Sequence, residues 1–143
     1  MRYLGLALAV LSTYALAVTA LPSPEELGTL KYRSWDLRLF NAAIPACNPN
    51  ASNIARTVLH RSGANTRTCA LLDYSLYNTS SVQSLSWKSP GPDDVKDLCM
   101  FRTQDCSGGE QALVGAITSG WEVCYPFLGW RGWVVVEHGA GCF

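Results

Sequence analysis

The chain is poor in charge and has no excess of either sign. Only 15% of its 143 residues are charged, and eleven Lys and Arg balance eleven Asp and Glu. Affinity for nucleic acid grows with the number of phosphates that Lys and Arg neutralise, so this balance excludes a general polyanion-tracking protein, and no nucleic-acid partner is expected. Acid–base side chains are equally scarce: the only histidines are His60 and His138. The sequence has no Gly-x-Ser-x-Gly elbow, no His-Glu-x-x-His and no phosphate loop. Closely spaced cysteine pairs are missing too, since the nearest neighbours, Cys99 and Cys106, are seven apart. That spacing argues against zinc, and neither a metal nor a cofactor is expected. Beyond the first twenty residues no stretch approaches the roughly twenty apolar residues that span a bilayer, so no membrane insertion is expected.

What is present begins with a leader. Arg2 supplies a positive start, Leu4 to Leu11 is an uninterrupted small and apolar run, and Val18-Thr19-Ala20 offers small residues before Leu21. Ser12, Thr13 and Tyr14 break the run, which has the form of a signal peptide over residues 1–20. The expected location is extracellular. Removing Arg2 with the leader leaves ten basic against eleven acidic side chains, a formal charge of −1. At 48% hydrophobic and 10% aromatic over its full length, the first figure raised by the leader, the sequence is too apolar for a disordered chain and has the makings of one small packed domain.

All six cysteines, Cys47, Cys69, Cys99, Cys106, Cys124 and Cys142, lie after the leader. An even set exported to an oxidising compartment reads as three disulfides. Two sequons, Asn50-Ala51-Ser52 and Asn78-Thr79-Ser80, lie in polar stretches and mark Asn50 and Asn78 as glycan acceptors.

Residues 21–36 read as an N-terminal extension in which Ser23-Pro24-Glu25-Glu26 has the form of a capping box that Gly28 stops at once. From Leu37 the sequence changes to short alternating or β-branched runs: Leu37 to Phe40, Cys69 to Tyr74, Val82 to Trp87, Leu98 to Arg102, Gln111 to Ile117 and Trp133 to Glu137. Gly, Pro, Asn, Ser and Asp separate them, the pattern of an all-β domain. Asn53 to Arg61 suits either a helix behind Ser52 or a strand.

The domain, 37–143, is doubled. Strand, cysteine, cysteine, turn and strand occur in that order over 37–88 and again over 98–142, with the Pro- and Gly-rich stretch 89–97 as a linker. The repeat favours pairing within units, Cys47 to Cys69 and Cys106 to Cys124, leaving Cys99 for Cys142, among fifteen possible connectivities.

The run Phe101-Arg102-Thr103-Gln104-Asp105-Cys106-Ser107-Gly108-Gly109 resembles the repeated unit of small cysteine-rich fungal secreted proteins with a βγ-crystallin-like double Greek-key arrangement. The resemblance implies a disulfide-stapled β-sandwich of two Greek-key-like units, and a place among effectors, small toxins and antimicrobial proteins. Calcium-binding relatives of the crystallin type place oxygen ligands ahead of a Ser/Thr pair. Ser80-Ser81 would match that pair, but Leu76-Tyr77 stands where the oxygens should be, and Trp130 to Val135 offers no carboxylate.

Enzyme chemistry would have to use His60 and His138, or His138 with Glu137, as in a small secreted ribonuclease. Adjacent strand residues point to opposite faces, which separates Glu137 from His138. Asp93, Asp94, Asp97, Asp105 and Glu110 would be the carboxylates of a glycosidase reading, but they read better as solvated loop acids. No catalysis is expected. The aromatic group Trp121, Tyr125, Phe127, Trp130 and Trp133 remains. Along a strand over 129–137, Trp130 shares a face with Val134 and Val136, while Trp133 shares one with Arg131 and Glu137. This assigns Trp130 to the core and makes Trp133, with Arg131, the expected contact surface.

The sequence therefore leads to a monomeric, secreted, non-catalytic binding protein of the effector or elicitor kind, directed at a host protein or an extracellular glycan. An antimicrobial or killer-type toxin is the first alternative, which −1 does not favour, because anionic membranes attract cationic surfaces. A small hydrolase is the second.

Overall fold

A computed structural model describes residues 33–72, 78–91 and 93–143. The leader, the Ser23-Pro24-Glu25-Glu26 turn, Leu76-Tyr77 and the end of the run expected to reach Tyr74 lie outside the described residues. The strands are β1 Trp35–Phe40, β2 Thr57–Gly63, β3 Arg67–Leu71, β4 Ser84–Lys88, β5 Lys96–Phe101, β6 Leu113–Ile117, β7 Trp121–Pro126 and β8 Gly132–Glu137. One short helix, α1 Gly109–Ala112, precedes β6. The ambiguous stretch after Ser52 resolves into a 3-10 turn, Ile54–Arg56, followed by the β2 strand.

The eight strands form an all-β sandwich of two four-stranded antiparallel sheets, ordered β2-β1-β4-β7 and β3-β8-β5-β6. Each half of the chain is a Greek-key-like unit with the same twist in its connectivity. In the first, β2, β1 and β4 are neighbours while β3 joins the other sheet; in the second, β6, β5 and β8 are neighbours while β7 crosses back. The two units thus exchange their third strands, and neither sheet is complete without a strand from the other unit.

This exchange corrects the expected disulfides. The bridges are Cys47–Cys124, Cys69–Cys106 and Cys99–Cys142. Only the last was expected. The Cys69 and Cys124 positions lie on the exchanged strands, β3 and β7, so each is carried away from the cysteine of its own unit and onto that of the other. Cys47 and Cys106, which follow β1 and β5, receive them.

The core is made by alternation. Leu37 and Leu39 of β1, Leu85 and Trp87 of β4, Leu98 and Met100 of β5, and Trp133 and Val135 of β8 all point between the sheets and are at most 2% exposed. Trp35 stacks on Trp87 with ring centroids 5.8 Å apart and meets Trp133 edge-on at 5.8 Å. Each such side chain contributes roughly 1.5–3 kcal/mol of burial, so these positions dominate the stability.

Trp133 is therefore a core residue, and the surface assignment fails. Its phase was read correctly, since Trp133, Val135 and Glu137 do share a face, but that face is the inner one. Glu137 misled as a polar marker: it sits at the sandwich edge, where it reaches Lys96 Nζ at 2.7 Å. Arg131 precedes the strand, which begins only at Gly132. Val134 and Val136 point outward and are partly buried against a second apolar cluster with Cys99, Phe101, Ala112 and Cys142. The outer face of β8 is thus apolar and half-covered, which removes the polar side that alternation arguments rely on. Trp130 is buried as expected, tilted against Phe127 at 5.3 Å. Gly132 admits the 103–106 loop, since a Cβ there would collide with the Thr103 carbonyl oxygen.

The linker is shorter than expected, because β5 starts at Lys96 and Lys96 and Asp97 belong to it. Its first residue is an anchor. Buried Ser89 donates its hydroxyl to the Ser34 carbonyl at 2.7 Å and accepts from the Lys96 amide at 2.7 Å, tying the starts of β1 and β5 together. The expected extension likewise ends early, since β1 opens at Trp35.

Candidate functional site

With Leu37 and Leu39 turned inward, Asp36, Arg38 and Phe40 face out from β1; with Leu85 and Trp87 inward, Ser84, Ser86 and Lys88 face out from β4. Register then assembles two rows across the first sheet. His60, Arg38, Ser86 and Val123 are successive cross-strand partners, and so are Ser62, Asp36, Lys88 and Trp121. These residues come from four strands spread over almost ninety positions of the chain, and only the strand order brings them together.

The rows carry a connected set of charges. The Asp36 carboxylate accepts from Arg38 Nε at 2.9 Å and pairs with His60 Nε2 at 2.5 Å. Lys88 Nζ lies 4.4 Å from the centroid of the Trp121 ring, a cation–π contact. Trp121 is 54% exposed, whereas Trp35, Trp87, Trp130 and Trp133 are all buried.

A loop closes over part of this face. Cys47–Cys124 pins the loop after β1 to β7, and Phe40, Ala42, Cys47 and Cys124 pack together beneath it. Asn53 stiffens it from within: its Nδ2 donates to the Asn48 carbonyl at 2.9 Å, and its Oδ1 accepts from the Asn48 amide at 3.2 Å. Between loop and sheet lies a cavity of about 230 Å³. Arg38, Ser86 and Lys88 form its polar floor, Pro49, Ser52 and Asn53 its roof, and no carboxylate lines it. The arrangement offers two cations, hydroxyl groups, and an aromatic ring held beside them by one of those cations. It suits an anionic group attached to a ring-shaped body.

The larger groove, about 440 Å³, lies outside β8 between Thr66–Thr68 and the C-terminal residues. Here the cation sits beside a carboxylate: Arg67 lies over the Trp133 ring at 5.0 Å, and Glu137, paired with Lys96, lines the same groove.

The remaining sequence candidates are dispersed. His138 Nδ1 pairs with buried Asp97 at 2.9 Å, and the other Asp97 oxygen accepts from the Gly139 amide at 3.0 Å, so this pair secures the C-terminal turn. His60 lies on β2 of one sheet and His138 in the turn after β8 of the other, and each has its own carboxylate. Glu137 pairs with Lys96 and not with its neighbour. The Lys96 ammonium, almost wholly buried, also binds Asp94, whose other oxygen takes the Ser34 hydroxyl. The ammonium, then that hydroxyl, hold the Asp94 carboxyl below its ordinary range. Asp94, followed by Glu137, pushes Lys96 above the usual lysine value. Asp105 is lowered by the Ser107 hydroxyl and amide within its own turn. Exposed Glu110 lies in α1, apart from these groups. Among the described residues no group of three or more His, Cys, Asp or Glu side chains converges as a metal site would require. Arg131 is exposed, but its expected partner ring is buried. Asn50 and Asn78 are both exposed.

Sequence reasoning missed Asp36, Arg38, Lys88 and Trp121 as a group. Alternation in Asp36-Leu37-Arg38-Leu39 and Ser86-Trp87-Lys88 would have turned the charges outward, yet nothing local makes β1 and β4 neighbours. No protein-family model matches the chain, nor does any curated protein or solved structure.

Proposed function

We propose that this chain is a secreted, non-catalytic binding protein of the effector or elicitor kind, and that its contact surface is the outer face of the β2-β1-β4-β7 sheet. One observation carries the reading: Arg38 and Lys88 converge in a preformed cavity beside the exposed Trp121. A rigid scaffold displaying one aromatic and two cations matches the residue types that concentrate binding energy. Three disulfides suit an oxidising compartment, and the leader-like start of the sequence agrees with export. The exchange of third strands between two four-strand units is compatible with the double Greek-key arrangement that the sequence resemblance implies.

The test is to apply oxidised protein lacking residues 1–20 to host tissue and score the defence response. Trp121→Ala and Arg38→Gln should lose the response while keeping the thermal midpoint; full activity in both variants removes this face from the function.

The His60–Asp36 pair beside Arg38 favours a second reading, a small hydrolase using a carboxylate-oriented imidazole. In that case the protein turns over RNA or polysaccharide and His60→Ala abolishes turnover. Binding is the stronger reading because His138, in the turn after β8, is paired with Asp97, which leaves His60 without a second histidine as its acid partner.

A further inference from the structure

We propose that the cavity between the 49–54 loop and the first sheet takes one acidic sugar residue, its carboxylate or sulfate held by Arg38 and Lys88, with the next residue of the sugar chain set against Trp121 outside it. The inference rests on the contact-surface reading and adds the chemistry of the ligand.

The anionic group follows from the charge inventory. Both cations line the cavity, and no carboxylate does. Arg38 spends its Nε on Asp36, and that single bond orients the guanidinium while leaving the four N–H bonds of its two Nη atoms for a ligand. Lys88, opposite Asp36 in the register, places its ammonium against an indole face instead of a carboxylate, so its charge is not neutralised there. The sugar body follows from shape and surroundings. A cavity of about 230 Å³ is too small for an extended chain and suits a single ring with its anionic substituent. Ser86 of the floor and Ser52 of the roof supply hydroxyl groups that a sugar can bond. Trp121 stands exposed on the strand next to Lys88, outside the cavity, where the following sugar residue can stack. The site needs no rearrangement, since Cys47–Cys124 and the Asn53 bonds hold its roof in place.

A nucleic acid would bring the same charge, but it binds by neutralising many phosphates in succession. With eleven acidic side chains against eleven basic ones, the protein has no such track, and a local two-cation site reads one anion.

The experiment titrates the oxidised protein with short oligomers, following tryptophan fluorescence and amide chemical shifts. Galacturonic acid oligomers carry carboxylate only, sulfated galactose oligomers carry sulfate only, unmodified galactose oligomers are the neutral control, and oligouridylate is the nucleic-acid control. At least one acidic sugar should bind and shift resonances of β1, β4 and the 49–54 loop, while the neutral oligomer should not. Arg38→Gln and Lys88→Met should each weaken binding about tenfold or more, the loss of one charge-assisted contact. Arg102→Ala, exposed in the other unit, should leave affinity unchanged. Thermal midpoints equal to wild type show that the site variants remain folded; if Arg38→Gln lowers the midpoint, Lys88→Met alone decides. The proposal is overturned if neither acidic sugar binds, if the two variants bind like wild type, or if oligouridylate binds more tightly than both sugars. If no sugar binds while Trp121→Ala still abolishes the host response, the ligand chemistry fails and the contact surface stands. If Trp121→Ala and Arg38→Gln both leave the host response intact, the contact surface itself fails.

Discussion

Cys47 and Cys124, 77 positions apart in the chain, are joined with their Cα atoms 5.6 Å apart, and this bridge fastens the loop of one unit to the exchanged strand of the other. It stabilises the fold and also builds the cavity roof. Replacing both cysteines by alanine should cost about 4 kcal/mol, as expected for a long closed loop, and should weaken acidic-sugar binding beyond what stability alone explains. Denaturant titration and the sugar titration read the two effects separately. Peptide mapping without reduction should recover Cys47 with Cys124 and Cys69 with Cys106.

The tryptophans should divide sharply. Trp133→Ala empties the inner face where Trp35 and Val135 meet and should cost about 3–5 kcal/mol, enough to reduce or abolish secretion. Trp121→Ala removes an exposed ring and one cation–π contact and should cost at most about 1 kcal/mol. Thermal melts check both; equal losses would contradict the opposite burial of the two rings.

The edge cluster around Lys96 makes stability depend on pH in both directions. Asp94 has a lowered folded value, so its contribution is present above the ordinary aspartate range, about 3.9, and is lost as pH falls through the lower folded value. Lys96 has a raised folded value, so its contribution is present below about 10.4 and is lost as pH rises through the higher folded value. Thermal midpoints across pH should show a plateau between these limits, and Asp94→Asn should flatten the acid limb.

Both exposed sequons should be used when the full chain is expressed in a eukaryotic secretory host. Asn50→Gln and Asn78→Gln should each remove one enzymatically releasable glycan by mass spectrometry. Asn50 lies between Pro49 and Ala51 of the cavity roof, so with a glycan there Asn50→Gln should also tighten sugar binding by the glycosylated protein.

The sequence by itself determined the class of this protein. Alternating apolar positions such as Leu37 and Leu39, with turn residues between the runs, require strands whose inner faces are covered. Six cysteines in a chain with an export-like start require covalent stapling. Even the phase of Trp133 with Glu137 was legible. Which side of that strand faced the core was not, because Val134 and Val136 on the outer side are as apolar as Trp133 and Val135 on the inner one, and a strand apolar on both sides carries no polar label. Only the tertiary structure decided that β3 and β7 change sheets. Strand pairing between distant segments depends on the matching of whole faces, a property no local run encodes. From that one exchange follow the two inter-unit bridges and the placement of Val123 and Trp121 beside Ser86 and Lys88. The site is a cross-strand object, made of residues that become neighbours only once the sheets have formed.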